Sequence, residues 1–86
     1  MTKAYVHIML KDSVLDPQGE TIRRVLKSLG FEGIEGLRQG KLIEIDLVET
    51  DMEKAREMVV EMCEKLLSNT VIESYRVEIM KKDYSL

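Results

Sequence analysis

The residues best suited to catalysis or metal binding are scarce in this sequence. His7 is the only histidine and Cys63 the only cysteine among 86 residues. A His-based triad, a histidine pair or an HExxH helix is therefore excluded or reduced to one ligand, and neither an intrachain disulfide nor a Cys-based zinc site can form. His7 lies in an alternating pattern and Cys63 in an apolar helical stripe. We interpret them as a sheet-face or interface residue and a packed, inert thiol.

Clusters of charge and of glycine are the next candidates for a site. A series of acidic residues spans a strand end and a helix start: Glu44, Asp46, Glu49, Asp51 and Glu53. Hydrated surface and helix-start charge explain most of them, with a metal site as the alternative. Arg23, Arg24 and Lys27 form a basic helix face, either solvated or docked on an acidic partner. The 5 glycines form neither G-x-G-x-x-G nor a Walker loop, so no dinucleotide or ATP site is indicated.

Length and charge limit the class of protein. One domain, 1–86, is expected from 86 residues, and folding would bury about 64% of the surface of the unfolded chain, a thin margin for a monomer. A net charge of -3 argues against nucleic-acid binding. No apolar stretch is long enough for a membrane span, and Met1 leads into a strand pattern without a secretory signal. We therefore expect a soluble, cytoplasmic protein.

The elements that must position any site follow from periodicity. Alternation over Ala4–Leu10 predicts a strand, and Asp16-Pro17 predicts the start of an amphipathic helix that ends at Gly30. A second strand over Ile34–Arg38, weakened by a glycine, would form a hairpin through the Gln39-Gly40 turn with a strand over Leu42–Val48.

The second half of the chain predicts another helix and a last strand. Thr50 and Glu53 have capping-box spacing and open a long apolar stripe that Ser68 to Thr70 interrupts. The stripe comprises Ala55, Met58, Val59, Met62, Cys63, Leu66 and Leu67. A strand over Ser74–Met80 follows, then a polar tail, 81–86. The predicted fold is an α+β two-layer sandwich, ferredoxin-like or a related β-α-β-β-α-β, with two helices on one face of an antiparallel sheet.

This arrangement leaves one face of the sheet uncovered. The face would carry Tyr5, His7, Met9 and Leu42, or the alternate residues of the same strands. Covering such a face with a second copy is the natural solution, so we expect a homodimer or a dimer of dimers.

Several segments together resemble the PurS family, the small subunit of phosphoribosylformylglycinamidine synthase. They are Leu10-Lys11, Val14–Gly19, Gly40-Lys41, Met62–Leu67 and Asn69–Arg76. The resemblance implies a non-catalytic subunit of the fourth step of purine biosynthesis, with no cofactor of its own. It also implies a glutaminase partner of PurQ type, which releases ammonia, and a synthetase partner of PurL type, which uses ATP and magnesium. The subunit would bridge these partners and assist ammonia transfer.

The predicted fold places the candidate partner contacts at turns flanking the ends of the sheet. They are Asp16, Gln18 and Gly19 at the first helix, Arg38, Gly40 and Lys41 at the hairpin tip, and Asn69 and Glu73 before the last strand. An amino-acid-binding regulatory module of the ACT type, which shares the element order, is the alternative. An acylphosphatase is disfavoured, because its phosphate loop needs an arginine that residues 11–18 lack.

Overall fold

The computed structural model describes residues 1–81, which form the elements β-α-β-α-β. Their bounds are β1 Thr2–Leu10, α1 Pro17–Ser28, β2 Gly40–Leu47, α2 Met52–Met62 and β3 Glu73–Lys81. A π-helical turn, Cys63–Leu67, continues α2 and ends at the predicted break. The predicted polar tail continues into 82–86, which lie outside the described residues.

Within residues 1–81 the sheet has three strands in the order β2-β1-β3, and both pairs are antiparallel. β1 is central, with Val6 opposite Ile43 on one side and Val77 on the other. A central strand has no open edge, which agrees with the sizeable side chains on both of its faces. The α+β class and the antiparallel sheet are confirmed.

The core lies between the sheet and α2. Alternate residues of β1, including Val6 and Ile8, are buried against Ala55, Val59 and Cys63 of the helical segment. These helical residues are four apart, so they lie along one face of the helix. The prediction that Cys63 packs in the apolar stripe is confirmed, whereas Met58 and Leu66 of the same stripe are exposed.

The predicted strand over Ile34–Arg38 is wrong, and with it the hairpin. Residues 29–39 contain no strand, so β2 is an edge strand of a three-stranded sheet. Gly33, with φ of 84°, and Gly36 fall within or beside the segment and disfavour a ladder. The Arg38 guanidinium instead turns back to donate to the carbonyls of Leu10 and Lys11.

The expectation that both helices cover one sheet face is also wrong. Only α2 packs closely on the strands, and α1 extends away from them. The radius of gyration is 16.7 Å, against about 12 Å for a compact chain of this length. Apolar side chains of α1 and its C-terminal end consequently remain exposed: Ile22, Val25, Leu29 and Phe31.

The two helix starts test the capping predictions. The Asp16 carboxylate caps α1 by accepting from the Gly19 amide at 3.0 Å, as predicted. At α2 the predicted cap, Thr50, is wrong by one residue. Asp51 is the N-cap there and accepts from the amides of Glu53 and Lys54. An aspartate is an equally good N-cap, and it stands one position nearer the helix.

The sheet face away from α2 carries the residues expected there: Tyr5, His7, Met9 and Leu42. Ion pairs cross this face, with Lys3 at 3.6 Å from Glu44, Arg76 at 3.1 Å from Glu78, and His7 also bonded to Glu78. The face is therefore half-buried and charged, whereas α1 leaves several apolar side chains exposed. None of the helices within residues 1–81 has the length and apolar character to cross a bilayer.

Candidate partner-docking site

The predicted contact residues lie near one end of the sheet. Gly40 pairs with Met9, and Glu73 pairs with Leu10, so the first residues of β2 and β3 both flank the last residues of β1. Hydrogen bonds join the start of α1 to the same end. We call this region the polar end: Asp16, Gln18, Gly19, Arg38, Gly40, Lys41, Asn69 and Glu73.

Asp16 joins α1 to the segment that enters β2. One carboxylate oxygen accepts from the Gly19 amide, and the other accepts from the Gln39 amide at 2.8 Å. The Gln39 side chain also donates to the Gln18 side-chain oxygen at 2.9 Å. A Cβ on Gly19 would stand 2.9 Å from the Leu37 carbonyl oxygen, so glycine permits this close approach.

Arg38 and Gly40 hold the same segment against β1. Arg38 Nη2 lies 2.7 Å from the Leu10 carbonyl oxygen and 3.0 Å from that of Lys11. A Cβ on Gly40 would stand 2.5 Å from the Ile8 carbonyl oxygen, closer than real Cβ atoms approach. Arg38 and Gly40 are thus both engaged within the chain.

The other side of the polar end is built around Glu73. One oxygen of its carboxylate accepts from the Asn69 amide at 2.7 Å, and the other lies 4.0 Å from Lys41 Nζ. A notch of about 260 Å³ opens between this pair and the start of α1. Ile8 and Leu10 line it together with Asp16, Gln18, Gln39, Gly40, Lys41 and Glu73.

This arrangement offers hydrogen bonds and charges of both signs, which suit docking. The residues that line the notch include no thiol, hydroxyl or imidazole side chain. Within residues 1–81, no three His, Cys, Asp or Glu side chains are grouped to hold a metal ion.

Cys63 lies in the core, and burial raises the pKa of its thiol, with a further contribution from the charge of Glu64. We expect Cys63→Ala to cost about 1 kcal/mol of stability through the lost packing and to leave the activity that the chain supports intact. Urea unfolding and an assay of that activity measure the two effects. A folded variant without that activity would contradict the inert-thiol interpretation.

The pKa of Asp16 is lowered from its usual 3.8, chiefly because the Gln39 and Gly19 amides stabilise the carboxylate. This stabilisation of the fold is present above the unfolded-state pKa and is lost as pH falls through the lower folded-state pKa. Between about pH 7 and about pH 2, wild type should therefore lose more unfolding free energy than Asp16→Asn, which has no carboxylate to protonate. Equal losses in urea titrations would contradict this assignment.

Sequence reasoning missed the contribution of residues 37 and 39. Gln39 provides both an amide and a side chain to the start of α1, and Leu37 provides the carbonyl that requires Gly19. The Gln39-Gly40 pair had a turn signature, but a hydrogen bond made by a backbone amide cannot be predicted from the residue type.

Comparison with known proteins identifies the family. Residues 3–81 match the family model of PurS, phosphoribosylformylglycinamidine (FGAM) synthase. The chain belongs to the PurS family. It is 44% identical over 79 residues to the FGAM synthase subunit PurS of Bacillus subtilis (strain 168), covering 92% of this chain and 93% of that protein. Identity to the Methanocaldococcus jannaschii PurS subunit is also 44%, over 94% of this chain and 98% of that one.

Solved PurS structures share the fold of this PurS-family chain. Crystalline PurS of Methanocaldococcus jannaschii superimposes with a TM-score of 0.89 at 44% identity, covering 96% of this chain and all of that one, 100%. A chain of the PurLQS structure from Thermotoga maritima gives a TM-score of 0.82 at 36% identity, covering 93% and 99%. Membership of the PurS family replaces the alternative of an ACT-type regulatory module.

Proposed function

We propose that this chain is the non-catalytic subunit of a multi-subunit FGAM synthase, where it bridges a PurQ-type glutaminase and a PurL-type synthetase and assists ammonia transfer. The observation that carries the proposal is the PurS family match over residues 3–81. The reaction converts formylglycinamide ribonucleotide, glutamine and ATP to formylglycinamidine ribonucleotide, glutamate, ADP and phosphate. ATP and magnesium in the synthetase partner, and a cytoplasmic location, are parts of the same proposal.

The polar end is the surface that we assign to the large partners. Gln18, Lys41 and Asn69 are exposed there, and the notch beside them has both a cationic and an anionic side. Interfaces between proteins use such mixed polar groups at their rims to fix orientation. Asp16, Arg38 and Gly40, in contrast, support the shape of the surface from within the chain.

Self-association is the second part of the proposal. Val25 and Leu29 lie on the apolar face of α1, and their side chains are 52% and 67% exposed. Apolar residues at this helical spacing normally pack against another surface. The outer surface of α2 and its π-helical turn carries a second apolar patch that includes Met58 and Leu66. Across a two-fold axis, α1 of each copy would contact the α2 patch of the other copy, so the same contact would form twice. Identical subunits commonly associate through such symmetric interfaces. Sedimentation at micromolar concentration is expected to show a dimer or a dimer of dimers.

Reconstitution tests the bridge. The chain is combined with the synthetase and glutaminase of the same cell, and glutamine-dependent FGAM formation is measured with and without it. The proposal predicts co-purification of the three proteins in the presence of glutamine and nucleotide, and little glutamine-dependent activity when this chain is omitted. Full activity of the two large subunits alone would reject it.

A further inference from the structure

Apart from the backbone bonds that close its C-terminal end, the hydrogen bonds that join α1 to other segments lie in its first turn. Within residues 1–81, the hydrogen bonds that the Asp16 and Gln18 side chains accept from other segments all come from Gln39. The remaining side-chain hydrogen bonds of α1, such as those of Thr21 and Ser28, stay inside the helix. A helix of 12 residues therefore has no close packing on the sheet to direct it, and its start is hydrogen-bonded to the segment that enters β2.

We infer that Asp16 is a positioning residue, which fixes the direction of α1 by bonding the helix start and the Gln39 backbone with opposite oxygens of one carboxylate. The inference that Asp16 fixes the direction of α1 concerns the isolated chain and rests on this geometry alone. Its consequence for the synthase rests on the proposed function, because α1 and the polar end can dock together only if their mutual angle is held.

The choice of residue supports this role. A serine or an asparagine caps a helix about as well as an aspartate, so capping alone does not require a carboxylate. An ionised aspartate accepts hydrogen bonds on both oxygens, whereas a serine has one short hydroxyl and an asparagine has one acceptor oxygen. The two oxygens of Asp16 have different partners, Gly19 N at 3.0 Å and Gln39 N at 2.8 Å.

Both sides of the junction are themselves held in place. Gly19 lets the helix start approach the Leu37 carbonyl, where a side chain would intrude. Arg38, next to the bonded Gln39 amide, is tied to the carbonyls of Leu10 and Lys11 at the end of β1. The carboxylate of Asp16 thus bonds a helix to a point that is already anchored to the central strand.

Asp51 offers a matched control, because it is also an aspartate N-cap. Its contacts go to the amides of Glu53 and Lys54 within its own helix. Asp16→Ser and Asp51→Ser therefore make the same chemical change at two helix starts. Both retain a good cap, but only the first removes a bond between segments.

Spin-label distances in the whole chain test the inference. Ser28→Cys on α1 and Glu57→Cys on α2 are labelled in a Cys63→Ala background, and each labelled chain is mixed with a large excess of unlabelled chain so that intrachain distances dominate. Asp16→Ser should broaden the distance distribution about twofold without loss of helix content by circular dichroism, and Asp51→Ser should leave it unchanged. An unchanged distribution in Asp16→Ser would overturn the inference. Should that variant not fold, Asp16→Asn is measured against the same criterion.

Turnover of the reconstituted complex provides an independent test of whether the direction of α1 matters for docking. In the reconstituted complex, Asp16→Ser should lower glutamine-dependent turnover about tenfold and ammonia-dependent turnover much less. The reason is that a large partner docked on a misdirected α1 is no longer correctly oriented. Asp51→Ser should retain both. If no complex forms with wild type, the proposed function fails while the distances still decide the role of Asp16. Broadened distances with unchanged turnover would reject the link between α1 direction and docking.

Discussion

Replacing Gln18 and Lys41 together by alanine is expected to weaken assembly of the synthase about 100-fold. Both side chains are exposed on the polar end, on opposite sides of its notch. Loss of a useful interface contact costs about 1 to 2 kcal/mol, and two such losses amount to about 100-fold in affinity. Affinity is measured by titrating the variant into the two large subunits, and turnover is measured with glutamine and with ammonia as nitrogen source.

The nitrogen source separates a docking defect from other defects. Under the proposed function, supplied ammonia would reach the synthetase without a docked glutaminase, so the double variant should lose glutamine-dependent turnover and retain most of the ammonia-dependent turnover. Glu35→Ala with Lys54→Ala, two exposed residues outside the polar end, serves as the matched control and should retain both. Normal assembly with equal loss of the two activities would place the effect inside the synthetase site and reject docking at the polar end.

Elements with a strong local signal were predictable from the sequence. β1 combines alternation with apolar residues on both faces, and the start of α1 combines an aspartate cap with proline at the first position. These features depend on neighbours in the chain, so no knowledge of the tertiary structure is needed. The one-residue error at α2 arose because Thr50 and Asp51 are both good caps in adjacent positions.

Features that depend on distant parts of the chain were not predictable. Whether Ile34–Arg38 pairs with β2 depends on where Arg38 finds its partners, and these are carbonyls 27 and 28 residues earlier. The periodicity of α1 predicts that one face is to be buried, but it does not say whether the sheet of the same chain or another molecule buries it.

The candidate site likewise combines features that the sequence predicts with features that it does not. Antiparallel pairing brings Gly40 and Glu73 to the end of β1, so a correct strand order is enough to gather the predicted contact residues. The internal roles of Asp16 and Arg38 depend on backbone groups that every residue carries. Residue type alone therefore gathered the candidate contacts at one end of the molecule, without separating the residues that support this surface from those exposed on it.

Val25→Asp is expected to weaken self-association about 1,000-fold. The Val25 side chain is 52% exposed in the single chain, and it stands on the α1 face between Ile22 and Leu29. Burying a carboxylate in place of an apolar group costs about 2 kcal/mol even with partial solvation, and a two-fold interface contains the change twice. Sedimentation equilibrium over nanomolar to micromolar concentration measures the shift.

The fold itself should survive this substitution, because Val25 is absent from the core between the sheet and α2. Urea unfolding of the dissociated variant separates loss of association from loss of structure. Arg24→Asp provides the control, since it introduces a carboxylate at the neighbouring position, outside the apolar face of the same helix, and should leave association nearly unchanged. A Val25→Asp protein that associates as tightly as wild type would show that α1 is not the surface between copies. The charged face of the sheet, crossed by the His7–Glu78 and Lys3–Glu44 pairs, would then be the surface to vary next.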